Sequence, residues 1–140
     1  MPARLVLLDT NGWLALLNSA DALHSTASTV WSGLLEDGSS VILTDWIVAE
    51  TGNGLARTSG RAQFVEAVEL IRSSPRARLI PVSDGLFQRS LRLYASRQDK
   101  SWGLVDCASF LVMNDEGIHE AFTTDHHFEQ AGHLYFLPVS

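Results

Sequence analysis

Short apolar runs that end abruptly, each followed by a segment of helical periodicity, recur along this 140-residue chain. The first lies in "RLVLLDTNGWLALL". Leu5 to Leu8 are unbroken apolar residues, Asp9 ends the run, and a second apolar segment begins after Gly12. A short run without polar alternation is the pattern of a strand covered on both faces, and so of a parallel sheet. Residues 39–44 (SSVILT), 77–82 (ARLIPV), 119–124 (HEAFTT) and 134–139 (LYFLPV) read the same way. Pro81 cannot donate to a ladder, which places the third run at an edge or a strand end. Helices are predicted over 12–19, 21–37, 45–60, 61–74, 84–97 and 104–117, with a helical turn over 125–132. Phe64, Val65, Val68 and Ile71 share one stripe of the fourth helix. Asp45, and Ser83 or Asp84, read as N-caps, and Gly38 as a C-terminal stop. Gly52 and Gly54 weaken the second half of 45–60. Strands alternating with helices over the full length predict one α/β domain, 1–140, with helices on both faces of a mostly parallel sheet.

That architecture limits where chemistry can occur. In open parallel sheets, ligands bind beyond the carboxyl ends of the strands. Asp9 stands at such an end, and Asp125 directly follows the fourth apolar run in "FTTDHHFEQAG". If the first and fourth strands are neighbours, the two carboxylates lie side by side. Two further acids interrupt apolar helices: Glu50 follows "DWIVA", and Asp106 sits within "WGLVDCASFLVM". Trp46 precedes Glu50 by one turn and Phe110 follows Asp106 by one turn, so no basic partner stands there at helical spacing. No Lys or Arg is close in sequence to Asp9, Asp106 or Asp125. A half-buried carboxylate without a partner is costly, and a hard divalent cation relieves that cost through oxygen ligands. Taken singly, an Asp after a strand is more often a helix cap, and an acid within a helix more often faces solvent. All four together favour a metal site.

Other features carry less. Asp99 reads as a solvated loop acid. His126, His127 and His133 crowd one segment without an accompanying cysteine, so they read as turn residues rather than a zinc site. Trp13, Trp46 and Trp102 flank the acids and are candidates for stacking on unpaired bases, although core packing suits Trp46 better. Cys107 is the sole cysteine, so an internal disulfide is excluded. It reads as an inert core thiol in a reducing, intracellular setting. No apolar run approaches the roughly 20 residues of a membrane span, and Asp9 and Asn11 interrupt any signal-peptide core. The net charge of −6 argues against a nucleic-acid partner, but its distribution does not. Residues 52–100 hold nine of the ten Lys and Arg against four acids, a balance of +5; the remainder holds one Arg against twelve acids, a balance of −11. Such a split can set a basic flank beside an acidic pocket, although arginines of this kind are commonly solvated helix faces.

"LLDTNGWLAL", "VAET", "WGLVDCASFLVM" and "AFTTDHHFEQAG" together resemble the PIN-domain family, and specifically its VapC-like toxin ribonucleases, in order and over nearly the whole chain. Thr123–Thr124–Asp125, followed by His127–Phe128 and Ala131–Gly132, is the most specific part. The resemblance implies a three-layer α/β/α fold with a five-stranded parallel sheet in the order 3-2-1-4-5. It implies a cytoplasmic endoribonuclease dependent on Mg²⁺ or Mn²⁺, acting on RNA, and a homodimer held by a cognate antitoxin. The family's acidic residues fall on Asp9, Glu50, Asp106 and Asp125, its hydroxyl or amide after the first acid on Thr10 or Asn11, and its Ser or Thr before the last acid on Thr124. Asp9 and Asp106 are the preferred direct ligands, with Asp125 and Glu50 holding a second metal or orienting water. Arg57 and Arg61 are candidates for RNA or partner contact. "ETGNGLAR" is richer in glycine than the family pattern leads one to expect. The alternatives are a receiver-like signalling module, or a non-catalytic domain that binds RNA or a partner. A receiver needs a second acid beside the first, an Asp ending the third strand and a Lys after the fifth. Asp9 has no acidic neighbour, and Lys100 is the sole lysine.

Overall fold

The computed structural model describes residues 4–132 and the backbone of residues 134 and 135. Four strands, β1 (Leu5–Leu8), β2 (Ser40–Thr44), β3 (Ala77–Ile80) and β4 (Glu120–Phe122), lie in the order β3-β2-β1-β4 with parallel pairing throughout. Beyond β4, the two-residue strand β5 (Leu134–Tyr135) pairs in parallel with Glu120 and Ala121. The rest of the run expected over 134–139, and His133 before it, lie outside the described residues. Val6 faces Val41 on one side and Glu120 on the other, so β1 is central. Val6, Leu7 and Leu8 are fully buried, which is the physical origin of their unbroken apolar run.

Among the described residues, seven helices join the strands: α1 (Thr10–Leu17), α2 (His24–Glu36), α3 (Asp45–Leu55), α4 (Arg61–Ser73), α5 (Asp84–Ser96), α6 (Leu104–Glu116) and α7 (His127–Gln130). Asp45, expected to cap α3, instead lies in its first turn. Thr44 is the cap, its Oγ1 accepting from the Ile47 N–H at 3.2 Å. The Asp45 carboxylate accepts from the Val82 N–H at 2.9 Å and pins the chain after β3. Ser83 caps α5 in the expected way, accepting from the Leu86 N–H. Helix α2 starts later than expected because Asp21 turns the chain first, its carboxylate accepting from the Leu23 N–H at 2.8 Å. The glycines of α3 do not stop the helix before Leu55. They let neighbours approach, since a Cβ at Gly52 would lie 3.0 Å from the Phe64 ring and one at Gly54 3.0 Å from Leu14.

The strands, α1 and α6 share one core with Ile47, Phe122 and Phe128. Each fully buried apolar side chain of that size contributes roughly 1.5–3 kcal/mol relative to exposure. Trp13 is buried against Phe64, with ring centroids 5.6 Å apart, and Trp102 is buried edge-on to Phe110 at 4.9 Å. Both rings are therefore committed to packing and offer no open face to a base. Trp46 is half-buried against Phe87. Cys107 is buried, and burial pushes its thiol up to about 11, with the Asp106 charge adding to the rise. That matches an inert thiol. Among the described residues, no helix is long and apolar enough to cross a membrane.

Candidate active site

The register pairs Leu8 with Phe122, so β1 and β4 end together, and the residues that follow each strand meet. Gly12 makes that meeting possible. A Cβ there would fall 2.1 Å from the Phe122 carbonyl oxygen, so glycine lets α1 begin directly over the end of β4. Asp9, between β1 and α1, is 2% exposed. Its Oδ2 accepts a 2.7 Å hydrogen bond from the Thr123 hydroxyl, and that same hydroxyl accepts from the Asp125 N–H at 3.0 Å. Burial pushes the Asp9 carboxyl up to about 7 from 3.8. The Thr123 hydroxyl and the Thr10 N–H oppose the rise, while the charges of Asp106 and Asp125 add to it.

Asp106 and Asp125 come to the same place by different routes. Asp106 lies in the first turn of α6, where the helix dipole favours an anion, and its Oδ2 accepts from the Gly103 N–H at 3.1 Å. Burial still raises its pKa; Gly103 resists the rise and the Asp125 charge adds to it. Asp125 folds the chain back on itself, its Oδ1 accepting from the His127 N–H at 2.9 Å. Its Oδ2 accepts from the Asn11 amide at 3.4 Å. The turn aims the His127 ring between the two acids. Nδ1 is 3.3 Å from Asp106 Oδ2 and 3.2 Å from Asp125 Oδ1, and Nε2 is 3.1 Å from Ser101 Oγ. Asp106, Asp125 and His127 thus each present a ligand atom, all within 4.8 Å of one another. Among the described residues, every ion pair of Asp106 and Asp125 is with a histidine, not with Lys or Arg. A donor set of carboxylates with one imidazole, next to a buried acid held far above its ordinary range, fits a divalent cation.

The sequence expectations divide here. Asp9, Asn11, Asp106 and Asp125 are brought together. Glu50 is not: it is exposed on α3 and makes no hydrogen bond or ion pair among the described residues. Thr10 is buried beside Asp9, and its hydroxyl has no partner among the described residues. Thr124, the hydroxyl before the last acid, makes no hydrogen bond among them either; the preceding side chain, Thr123, is the one that reaches Asp9. Asp99 stands outside the cluster, exposed and paired with Arg97 at 3.0 and 3.1 Å, which lowers its pKa. Arg57 and Arg61 are exposed where α3 joins α4, and Arg61 donates to the Ala56 carbonyl at 3.3 Å. Arg78, from the same basic segment, is bound at both nitrogens by Glu116. Thr123 and His127 are the additions that the structure makes.

Known proteins resemble this chain over nearly its whole length. Residues 6–134 match the PIN domain family, a span that includes every acid discussed above. The 23S rRNA-specific endonuclease VapC20 of Mycobacterium tuberculosis is 30% identical over 134 residues, 96% of this chain and 99% of that protein. The crystal structure of Mycobacterium tuberculosis VapC20, described as a sarcin-ricin loop cleaving toxin, has a TM-score of 0.83 at 29% identity, covering 95% of this chain and 99% of that one. VapBC2 from Rickettsia felis, solved with a DNA fragment from its promoter, shares the fold with a TM-score of 0.65 at 15% identity, covering 94% of this chain and 97% of that one. The chain belongs to the PIN-domain family, on its VapC-like branch.

Proposed function

We propose that this chain is a metal-dependent endoribonuclease, the toxin of a toxin–antitoxin pair, and that it cuts 23S rRNA in the sarcin–ricin loop. The observation that carries the reading is the convergence of Asp9, Asp106, Asp125 and His127 at the ends of β1 and β4 without, among the described residues, a lysine or arginine pairing Asp106 or Asp125. The similarity to VapC20 supplies the RNA. Mg²⁺ or Mn²⁺, held by Asp106 and Asp125 with Asp9 beside them, would supply a water of lowered pKa and relief of phosphate charge. The chain's own residues do the positioning. Thr123 fixes Asp9, Asn11 and the His127 N–H orient Asp125, and the Gly103 N–H orients Asp106. The unpartnered Thr10 hydroxyl is available to a water or a phosphate oxygen. Glu50, exposed on α3, orients the attacking water from the solvent side, and Thr124 contacts a phosphate oxygen. Arg57 and Arg61 hold flanking phosphates or the antitoxin. In this reading residues 1–140 form one domain whose sheet is completed by a fifth strand, and the protein works as a cytoplasmic homodimer.

The test is cleavage of a sarcin–ricin hairpin RNA by the purified protein with Mg²⁺, with Mn²⁺ and with EDTA. A discrete product with either ion and none with EDTA is expected. Undiminished cutting in EDTA, or none with either ion, refutes the proposal.

A further inference from the structure

Between the end of α5 and the start of α6 lies a cleft of about 420 Å³, lined by Tyr94, Arg97, Lys100, Ser101, Trp102 and Gly103. Its size is in the range of small-molecule sites. The cleft and the acid cluster share a wall. Ser101 Oγ lies 3.1 Å from His127 Nε2, and the Gly103 N–H donates to Asp106. Its other groups suit a nucleotide. Trp102 is a fixed floor: it is buried, its indole N–H donates to Gln130 at 3.0 Å, and its ring carries the Arg97 guanidinium 4.9 Å above it. Arg97 is also bound by Asp99. Lys100 is near enough to lower the Asp99 pKa but, among the described residues, forms no ion pair. Tyr94 lines the cleft, is 53% exposed and, among the described residues, stacks on no other ring, so its ring is open to a partner. An open aromatic face beside an uncommitted cation is how unpaired bases and their phosphates are held.

We propose that this cleft seats an unpaired RNA nucleotide next to the one being cut, with Tyr94 stacked on its base and Lys100 on its phosphate. The proposal rests on the reading of the acid cluster as a ribonuclease centre. It assigns the grip on the base to Tyr94 rather than to the tryptophans, and adds Lys100 to the phosphate contacts.

The test uses a sarcin–ricin hairpin RNA and a set of hairpins with one abasic site moved along the loop. Tyr94→Ala is expected to raise KM about tenfold, the order of one lost base–aromatic stack, and Tyr94→Phe to restore it. Lys100→Gln is expected to raise KM and to flatten its salt dependence by about 0.7 in the logarithmic slope. One abasic position should raise KM for the wild-type protein and have no further effect in Tyr94→Ala, which a merely structural role for Tyr94 would not produce. Additive penalties, or an unchanged KM in both variants, overturn the proposal and leave the ribonuclease reading standing. An unchanged KM with weakened antitoxin binding overturns it in favour of a protein-docking face. Absence of cleavage by the wild-type protein removes the ribonuclease reading, and this proposal with it.

Discussion

Replacing Asp9 with asparagine should stabilise the metal-free protein, and by an amount that depends on pH. Burial holds the Asp9 carboxyl at about 7, against 3.8. Between those values the folded protein keeps a proton that the unfolded chain releases. The stability associated with the neutral carboxyl is therefore complete below pH 3.8 and is lost as pH rises through about 7. At about 1.4 kcal/mol for each factor of ten in acidity, the full loss is about 4 kcal/mol, more than half of it between pH 5 and pH 8. The Asp9→Asn side chain would keep an acceptor for the Thr123 hydroxyl but bring an amide that needs acceptors of its own. The net gain expected at pH 8 is therefore about 2 kcal/mol, or about 6–8 °C in Tm for a chain of this length. The assay is a thermal melt of wild-type and Asp9→Asn protein in EDTA from pH 5 to pH 8. The two Tm curves should diverge as pH rises, because groups common to both proteins cancel in the difference. Excess Mn²⁺ should then raise the wild-type Tm at pH 8 and leave the variant nearly unmoved. Parallel curves across the range would refute the reasoning, since they would mean that Asp9 has no unusual cost of ionisation.

Thr123→Val removes the hydroxyl donor to Asp9, and a hydrogen bond to a charged group contributes about 1.5–3 kcal/mol. Urea denaturation in EDTA should show a loss of about 2 kcal/mol at pH 8 and a smaller one at pH 5. His127→Ala removes one ligand atom and the ring between Asp106 and Asp125; calorimetric titration should show Mn²⁺ affinity lowered tenfold or more, with an unchanged circular dichroism spectrum. Neutralising Arg57 and Arg61 together should raise KM for RNA and flatten its salt dependence by about 1.4 in the logarithmic slope, with the cut site unchanged. Normal cleavage with weakened antitoxin inhibition would instead assign the pair to the partner.

Much of the fold is written in the chain, because burial on two faces leaves a strong signature in composition. The run Leu5 to Leu8 reads as a strand with Asp9 at its end, and it is one. Asp106 was legible for a related reason: a lone acid in an apolar helix stands out against its neighbours. Thr123 and His127 were not, since their roles depend on turn geometry after β4. Thr123 points inward because of strand register, and His127 reaches two carboxylates because Asp125 folds the chain back through the His127 N–H. Nothing in the periodicity of "FTTDHHFEQAG" distinguishes His127 from exposed His126. Glu50 shows the opposite limit of the sequence. An acid after an apolar run reads as half-buried, yet the helical turn of α3 sets Glu50 on its exposed side.

The way the three clustered carboxylates are compensated bears on what they are for. Each is met by a neutral donor, Asp9 by the Thr123 hydroxyl, Asp106 by the Gly103 N–H and Asp125 by the His127 N–H. An N–H or O–H donor offsets part of a carboxylate's desolvation cost and carries no net charge. An arginine at each position would offset more, but a tethered cation would compete with any incoming one for the same oxygens. Neutral donors orient the oxygens and, at Asp9, leave the charge uncancelled. The raised pKa of Asp9 measures what is left uncancelled there. An incoming cation then displaces the proton and gains the attraction that the fold itself left unsatisfied, so affinity should rise with pH up to and through about 7. In the proposed metal site, the instability built into the end of β1 and the affinity for a cation would thus be one electrostatic quantity, seen first without the ion and then with it.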